Sequence, residues 1–177
     1  MDVNDLKYPI GKFESRISTD PGARPILLIQ LEKAPGELRA AVRGLTGSQL
    51  DTPYRTGGWT VRQVVHHLAD AQMNWYIRAK LALTEDNPRI KPYDEGLWAE
   101  LCDARTAPVE PSLALLEGLN KRCLEMLRSL SEEQWKRRMI HPERGDFTLE
   151  DYLELSTWHF RHHSAHISEL RKRMRWE

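Results

Sequence analysis

Four of the chain's seven histidines fall within one short stretch, Thr157-Trp158-His159-Phe160-Arg161-His162-His163-Ser164-Ala165-His166. Imidazole binds divalent metals and carries protons near neutral pH, so such a density points to chemistry. Around the cluster Leu149, Tyr152, Leu155, Ile167, Leu170 and Met174 recur at three- and four-residue steps, the pattern of an amphipathic helix. At about 100° per residue, all four histidines lie on one side of that helix. His159 and His163 fall nearest the centre of the apolar stripe, His166 a little off it and His162 at its edge. A single inward histidine reads most simply as a packed side chain. Two at i and i+4, aimed at one interior point, are different. Each buried imidazole needs partners for two nitrogens, and a shared metal ion answers both needs at once. The stretch lacks the glutamate of His-Glu-x-x-His, so it is not the zinc-protease pattern.

A third histidine comes from a second helix. Thr60 and Gln63 have capping-box spacing, and Val61, Val64, Leu68, Ala71, Trp75, Ala79 and Ala82 trace an apolar face as far as Thr84. His66 and His67 are about 100° apart, so only one can point inward. His67 lies at the edge of the apolar face, whereas His66 is directed to solvent or a partner. His67, His159 and His163 together make a common ligand set for an open metal site. Asn74 and Arg78 follow His67 on the same side at i+7 and i+11, as candidates to bind a polar or anionic substrate. Asp70, at i+3, is a candidate to orient His67 or a water, and His166 is a candidate helper beside the metal. The long helices offer no further inward carboxylate: Glu154 projects away and Asp151 lies to the side. His141 falls in a loop and receives no role.

The elements that must position these residues are helical. The first helix is expected from Pro25 to about Gly44, with a kink or break at Pro35-Gly36, because proline removes a backbone donor. A third long helix begins near Glu110-Pro111, with Leu113, Leu116, Cys123, Leu127 and Leu130 on its buried side. The histidine-rich helix follows Thr148. A short helix is expected within residues 94–103, and connecting turns or loops over 45–58 and 131–145. The two halves resemble each other: Leu45-Thr46-x-x-Gln49-Leu50 leads to Trp59-Thr60, and Leu130-Ser131-x-x-Gln134-Trp135 leads to Phe147-Thr148. Two such halves packed face to face give an all-α four-helix bundle, in which the two histidine-bearing helices can face each other. Residues 1–20 read as an extended arm whose Tyr8, Ile10 and Phe13 pack on the body.

Composition bounds the class. The 177 residues suffice for one domain, residues 1–177, with a sizeable core. With 29% charged residues and a formal net charge of zero, no basic footprint for nucleic acid or an acidic membrane is present. No stretch approaches eighteen apolar residues, and Met1 to Lys12 contains no apolar run, so neither a membrane span nor a signal peptide is expected. Cys102 and Cys123 make no disulfide framework, which suits a reducing cytoplasm. The expected partner of the site is a small molecule.

Gly57-Gly58-Trp59-Thr60, His66-His67-Leu68-Ala69-Asp70 and Trp158-His159-x-x-His162-His163 resemble the DinB/YfiT-like superfamily of metalloenzymes. Tyr8-Pro9-Ile10-Gly11-Lys12-Phe13, Tyr76-Ile77-Arg78, Leu83-Thr84-Glu85-Asp86-Asn87-Pro88 and Lys91-Pro92-Tyr93-Asp94-Glu95 resemble its YfiT branch of metal-dependent hydrolases. The resemblance spans nearly the whole chain. It implies a bundle in up-down-down-up order, one divalent metal per chain, zinc or nickel, held by His67, His159 and His163, and a cytoplasmic homodimer. It leaves two chemistries open. Hydrolysis draws on a water activated at the metal and needs a proton acceptor. Transfer of a low-molecular-weight thiol such as bacillithiol or mycothiol to an electrophile needs no such base, because the metal holds the thiolate deprotonated. The shortage of inward carboxylates tilts the sequence reading toward the second. A non-catalytic bundle with a structural metal is the third reading, and it would need a fourth protein ligand such as Cys102 or Cys123.

Overall fold

The computed structural model describes residues 6–15, 22–143 and 145–176. Four long helices dominate: α1 (Ala23–Val42), α3 (Val61–Thr84), α6 (Glu110–Arg128) and α8 (Leu149–Met174). Between them lie the short helices α2 (Gly47–Leu50), α4 (Glu95–Ala99), α5 (Cys102–Thr106) and α7 (Glu132–Trp135), and a hairpin of β1 (Arg138–His141) and β2 (Gly145–Thr148). No described helix is long and apolar enough to cross a membrane.

Cross-helix contacts define the topology. Arg24 at the start of α1 bonds Glu150 at the start of α8, and Arg171 near the end of α8 donates to the Ala41 carbonyl near the end of α1, so these two run parallel. Arg39 and Glu32 of α1 meet Glu110 and Arg128 of α6 in reversed order, so that pair is antiparallel. His66 and Gln72 of α3 meet Ser112 and Asn120 of α6 in the same order, which is parallel. His67 and Trp75 of α3 meet His159 and Tyr152 of α8 in reverse. The order is therefore up, down, down, up, and α3 and α8 are neighbours across the histidines.

The core explains why these segments are helices. Leu31, Leu38, Val64, Leu68, Leu116, Leu127, Leu153 and Ile167 are wholly or almost wholly buried, each on the apolar stripe of its own helix. Met174, expected on that stripe, is exposed at the end of α8. Capping boxes close the N-termini of α2, α3, α7 and α8 at Thr46, Thr60, Ser131 and Thr148. Both halves thus repeat a short capped helix, a loop and a long capped helix.

Two expectations change. α1 continues through Pro35 without a break. The carbonyl that Pro35 leaves without its helical donor is that of Leu31, and Asn120 Nδ2 of α6 donates to it at 2.7 Å. Residues 138–148, expected as turn and loop, form the hairpin, with Arg138 opposite Thr148 and His141 opposite Gly145. Its strands are too short for a clear alternation, and Met139 is their single fully buried side chain. The backbone of Ile140 also pairs with Pro88 and Ile90, which ties the hairpin to the segment after α3.

Candidate metal centre

The sequence Tyr54-Arg55-Thr56-Gly57-Gly58-Trp59 turns back on itself before α3. Gly57 has φ +65°, the left-handed region that favours glycine. A Cβ on Gly58 would come within 2.8 Å of Arg55 Cγ and 3.2 Å of the Tyr54 ring. The turn returns Trp59 against the histidines: its ring lies 4.6 Å from that of His67 and 6.0 Å from that of His163. Thr60 then caps α3, and His67 follows in its second turn.

His67, His159 and His163 each present a ring nitrogen, and the three nitrogens lie within 4.8 Å of one another. His67 Nε2 and His159 Nε2 are 3.1 Å apart. Nitrogens of a tetrahedral site with bonds of about 2.1 Å lie about 3.4 Å apart, so small ring rotations bring the set to bonding geometry. Burial pushes His67 down to about 4. His163 is pushed well below its ordinary value, first by burial and then by its histidine neighbours. Both are therefore neutral at pH 7, with lone pairs available. His163 Nδ1 is buried without a hydrogen-bond partner. Two buried, neutral imidazoles, one with an orphaned nitrogen, beside the half-buried ring of His159 fit a divalent cation.

Two cavities meet at this trio. A narrow one of about 190 Å³ runs from His67 and His159 along α3, walled by Leu68, Trp75, Met139, Phe147, Tyr152 and Phe160. A wide vestibule of about 950 Å³ opens on the other side, lined by Lys7, Tyr8, Tyr54, Arg55, His162 and His166 among others. Glu95, Glu143 and Tyr93 line both.

The remaining candidates separate. Arg78 lines the narrow cavity, donating to Tyr152 Oη at 3.2 Å and to the Lys91 carbonyl at 2.7 Å. Asn74 is turned to its own helix, bonding the Asp70 carbonyl at 2.9 Å, and lines neither cavity. Asp70 also lines neither; burial, then Asp103, raises its carboxyl to about 6. His166 lines the vestibule, stacked 3.9 Å from the Tyr54 ring, with its Nε2 at 3.2 Å from the Lys7 carbonyl. His162 is buried against Trp158. His66, expected outward, is buried instead: its Nδ1 is 2.7 Å from Ser112 Oγ and its Nε2 3.3 Å from the Ala107 carbonyl, which fasten α3 to the start of α6. The arm packs as expected where it is described, with Tyr8 against His162 and Phe13 against Trp158, while Ile10 is exposed. Its residues 1–5 and 16–20 lie outside the described residues.

Sequence reasoning missed the carboxylates. Glu95 begins α4 and Glu143 sits on the hairpin turn, so neither could be found on the inner face of a long helix. His141, given no role, also lines the narrow cavity. The free cysteines Cys102 and Cys123 contribute nothing to the group: Cys102 is exposed, and Cys123 is buried beside Gln72 with its thiol pushed up to about 12 by burial.

Fold and site together define a four-helix bundle with a three-histidine group able to hold a metal between two of its helices. The chain belongs to the DinB superfamily, which it matches over residues 30–167. It is 52% identical over 173 residues to YfiT of Bacillus subtilis (strain 168), covering 97% of each chain, and that relative is named as a candidate metal-dependent hydrolase. A Bacillus cereus (strain 03BB102) protein with the same description is 51% identical over 174 residues, covering 98% of this chain and all of its own. The solved structure of Bacillus subtilis YfiT, described as a probable metal-dependent hydrolase with an unusual four-helix bundle topology, matches with a TM-score of 0.94 over 98% of this chain and 99% of that one.

Proposed function

We propose that the chain is a metal-dependent hydrolase of small molecules, with His67, His159 and His163 as ligands of one divalent ion. The observation that carries this reading is the convergence of three ring nitrogens within 4.8 Å where two cavities meet. Three imidazoles suit zinc, nickel, copper and iron alike, the family resemblance favours zinc or nickel, and the ion when bound would supply Lewis acidity that polarises a carbonyl and acidifies water. Glu143 and Glu95 line both cavities and are the candidate proton acceptors. As water adds to the acyl carbon, its proton passes to one of these carboxylates and then to the leaving group as the acyl bond breaks. Trp59 packs against His67 and His163, and Trp158 lines both cavities beside His159. His166 lies one helical turn from His163 on the vestibule side, where it serves as a helper for a polar leaving group.

The vestibule, which carries the cations Lys7 and Arg55 beside the carboxylates Asp94, Glu95 and Glu143, leaves room for a second reading, thiol transfer. Lys7 and Arg55 line a space wide enough for a hydrophilic, anionic thiol as cosubstrate. We further propose a cytoplasmic homodimer. Two free thiols suit a reducing compartment, and Leu97, Trp98 and Leu101 expose apolar surface on adjacent short helices.

The test is a screen of the metal-loaded chain on ester, amide and thiol-transfer substrates, with Glu143→Gln and Glu95→Gln beside wild type. Hydrolysis that falls about 10²–10⁴-fold in one variant at unchanged metal content supports the reading. Hydrolysis absent from wild type, or indifferent to both variants, contradicts it.

A further inference from the structure

Arg78 stands in an unusual place for a cation. It is half-buried on α3 and lines the narrow cavity. Its guanidinium donates to two neutral acceptors, Tyr152 Oη and the Lys91 carbonyl, and packs over the Tyr93 ring. No ion-pair partner for it occurs among the described residues; Arg24, Arg39, Arg62 and Arg128 have one, whereas Arg137 and Arg173 also donate to carbonyls, but only Arg78 of these lines the narrow cavity. A partly desolvated guanidinium presents five donors in a planar fork, and here neither of its two acceptors is an anion. The two acceptors hold the group in place, and its remaining donors are available to a ligand.

The rest of the cavity says what kind of ligand. Arg78 lies eleven residues from His67, so their backbones are about 16 Å apart along the helix. The wall between them is mainly apolar, Leu68, Ala71, Trp75, Phe147 and Leu155, with Gln72, Ser156 and the Tyr152 hydroxyl as its polar members. An apolar cavity of about 150 Å³ holds benzene. The 190 Å³ here therefore accommodates a ring or branched chain of about six to eight carbons. Charge gives the cavity a direction, because Glu95 and Glu143 lie at its histidine end, where the vestibule joins it, and Arg78 lies along α3 away from His67. A neutral reacting group suits the first end and an anion the second. The same two carboxylates weigh against a dianion such as a phosphate monoester and favour a single carboxylate.

We propose that the ligand of the narrow cavity is an amphipathic carboxylate. Its apolar body fills the space between α3, α8 and the hairpin, its carboxylate pairs with Arg78, and its other end reaches the three histidines. The assignment of that other end as the scissile group rests on the hydrolase reading above, whereas the pairing with Arg78 does not.

The test uses 3-phenylpropionate and its uncharged counterpart 3-phenylpropanol, titrated calorimetrically into the full chain, once metal-loaded and once treated with chelator. Wild type, Arg78→Gln and Arg78→Lys are compared, with metal content measured on the same samples. The acid is expected to bind at least about tenfold tighter than the alcohol in both metal states. Arg78→Gln is expected to bring that ratio close to one while the alcohol still binds, which shows an intact cavity. Arg78→Lys is expected to retain part of the preference. Equal binding of acid and alcohol to wild type, failure of both to bind, or a preference that survives Arg78→Gln would each overturn the proposal. A preference seen only in the metal-loaded chain would place the carboxylate on the metal and overturn it equally. A chain that binds no metal yet keeps the Arg78-dependent preference would sink the hydrolase reading and leave this one standing.

Discussion

At the scale of single residues, burial decides the chemistry. His67 and His163 are neutral at pH 7 because the bundle withholds water from them, which suits them as metal ligands. The i, i+4 spacing of His159 and His163 on α8, with His67 at the edge of the apolar face of α3, made the trio legible in the sequence. His66 was misplaced because helical geometry alone knows nothing of Ser112 and the Ala107 carbonyl, which arrive from a connection 41–46 residues away. Asp70 was legible as a carboxylate near His67, but its neighbour is Asp103. Its carboxyl is raised to about 6 from an ordinary 3.8, so its ionisation opposes folding above pH 6 and has no effect below pH 3.8. Asp70→Asn is therefore expected to raise the melting temperature at pH 7.5 and leave it unchanged at pH 3.5. A fall at pH 7.5 would mean that the charge has a partner this account lacks.

At the scale of elements, the long helices were legible and the pieces between them were not. α1, α3, α6 and α8 carry periodic apolar faces, α3 and α8 also carry capping boxes, and their observed ends lie within about two residues of those expected. The hairpin was not, because two four-residue strands held partly by Pro88 and Ile90 have no pattern of their own. That loss mattered, since the hairpin turn carries Glu143 to the cavities. Pro35 was read as an interruption because its compensation lies on another helix. Asn120 is buried, donates to the Leu31 carbonyl and accepts from Gln72 Nε2 at 3.3 Å, so one amide links α1, α3 and α6. Asn120→Leu is expected to cost about 1–3 kcal/mol in urea unfolding, the cost of an unsatisfied buried carbonyl. In a Pro35→Ala background the helix regains its own donor, and the cost of Asn120→Leu should shrink. Additive effects in that double-mutant cycle would mean the two residues are not coupled through Leu31.

At the scale of the whole molecule, folding and the proposed metal binding share the same groups. Burial holds His67, His162 and His166 at about 4 against an ordinary 6.5. The unfolded chain takes up these protons first, so the metal-free chain loses stability as pH falls from 6.5 to 4, and the loss levels off below. Thermal melts of chelator-treated protein should drop steeply across that window, beyond what Asp70, acting in the opposite direction, can offset. A flat profile would mean the histidines are solvated. A divalent ion that binds the folded chain alone must raise the melting temperature and compete with protons for the same nitrogens. The most direct test of the central claim is metal content by plasma mass spectrometry on untagged protein, wild type beside His67→Ala and His163→Ala. Wild type is expected to carry about one divalent ion per chain and both variants to lose it. Metal-free wild type, or full occupancy in either folded variant, would contradict it.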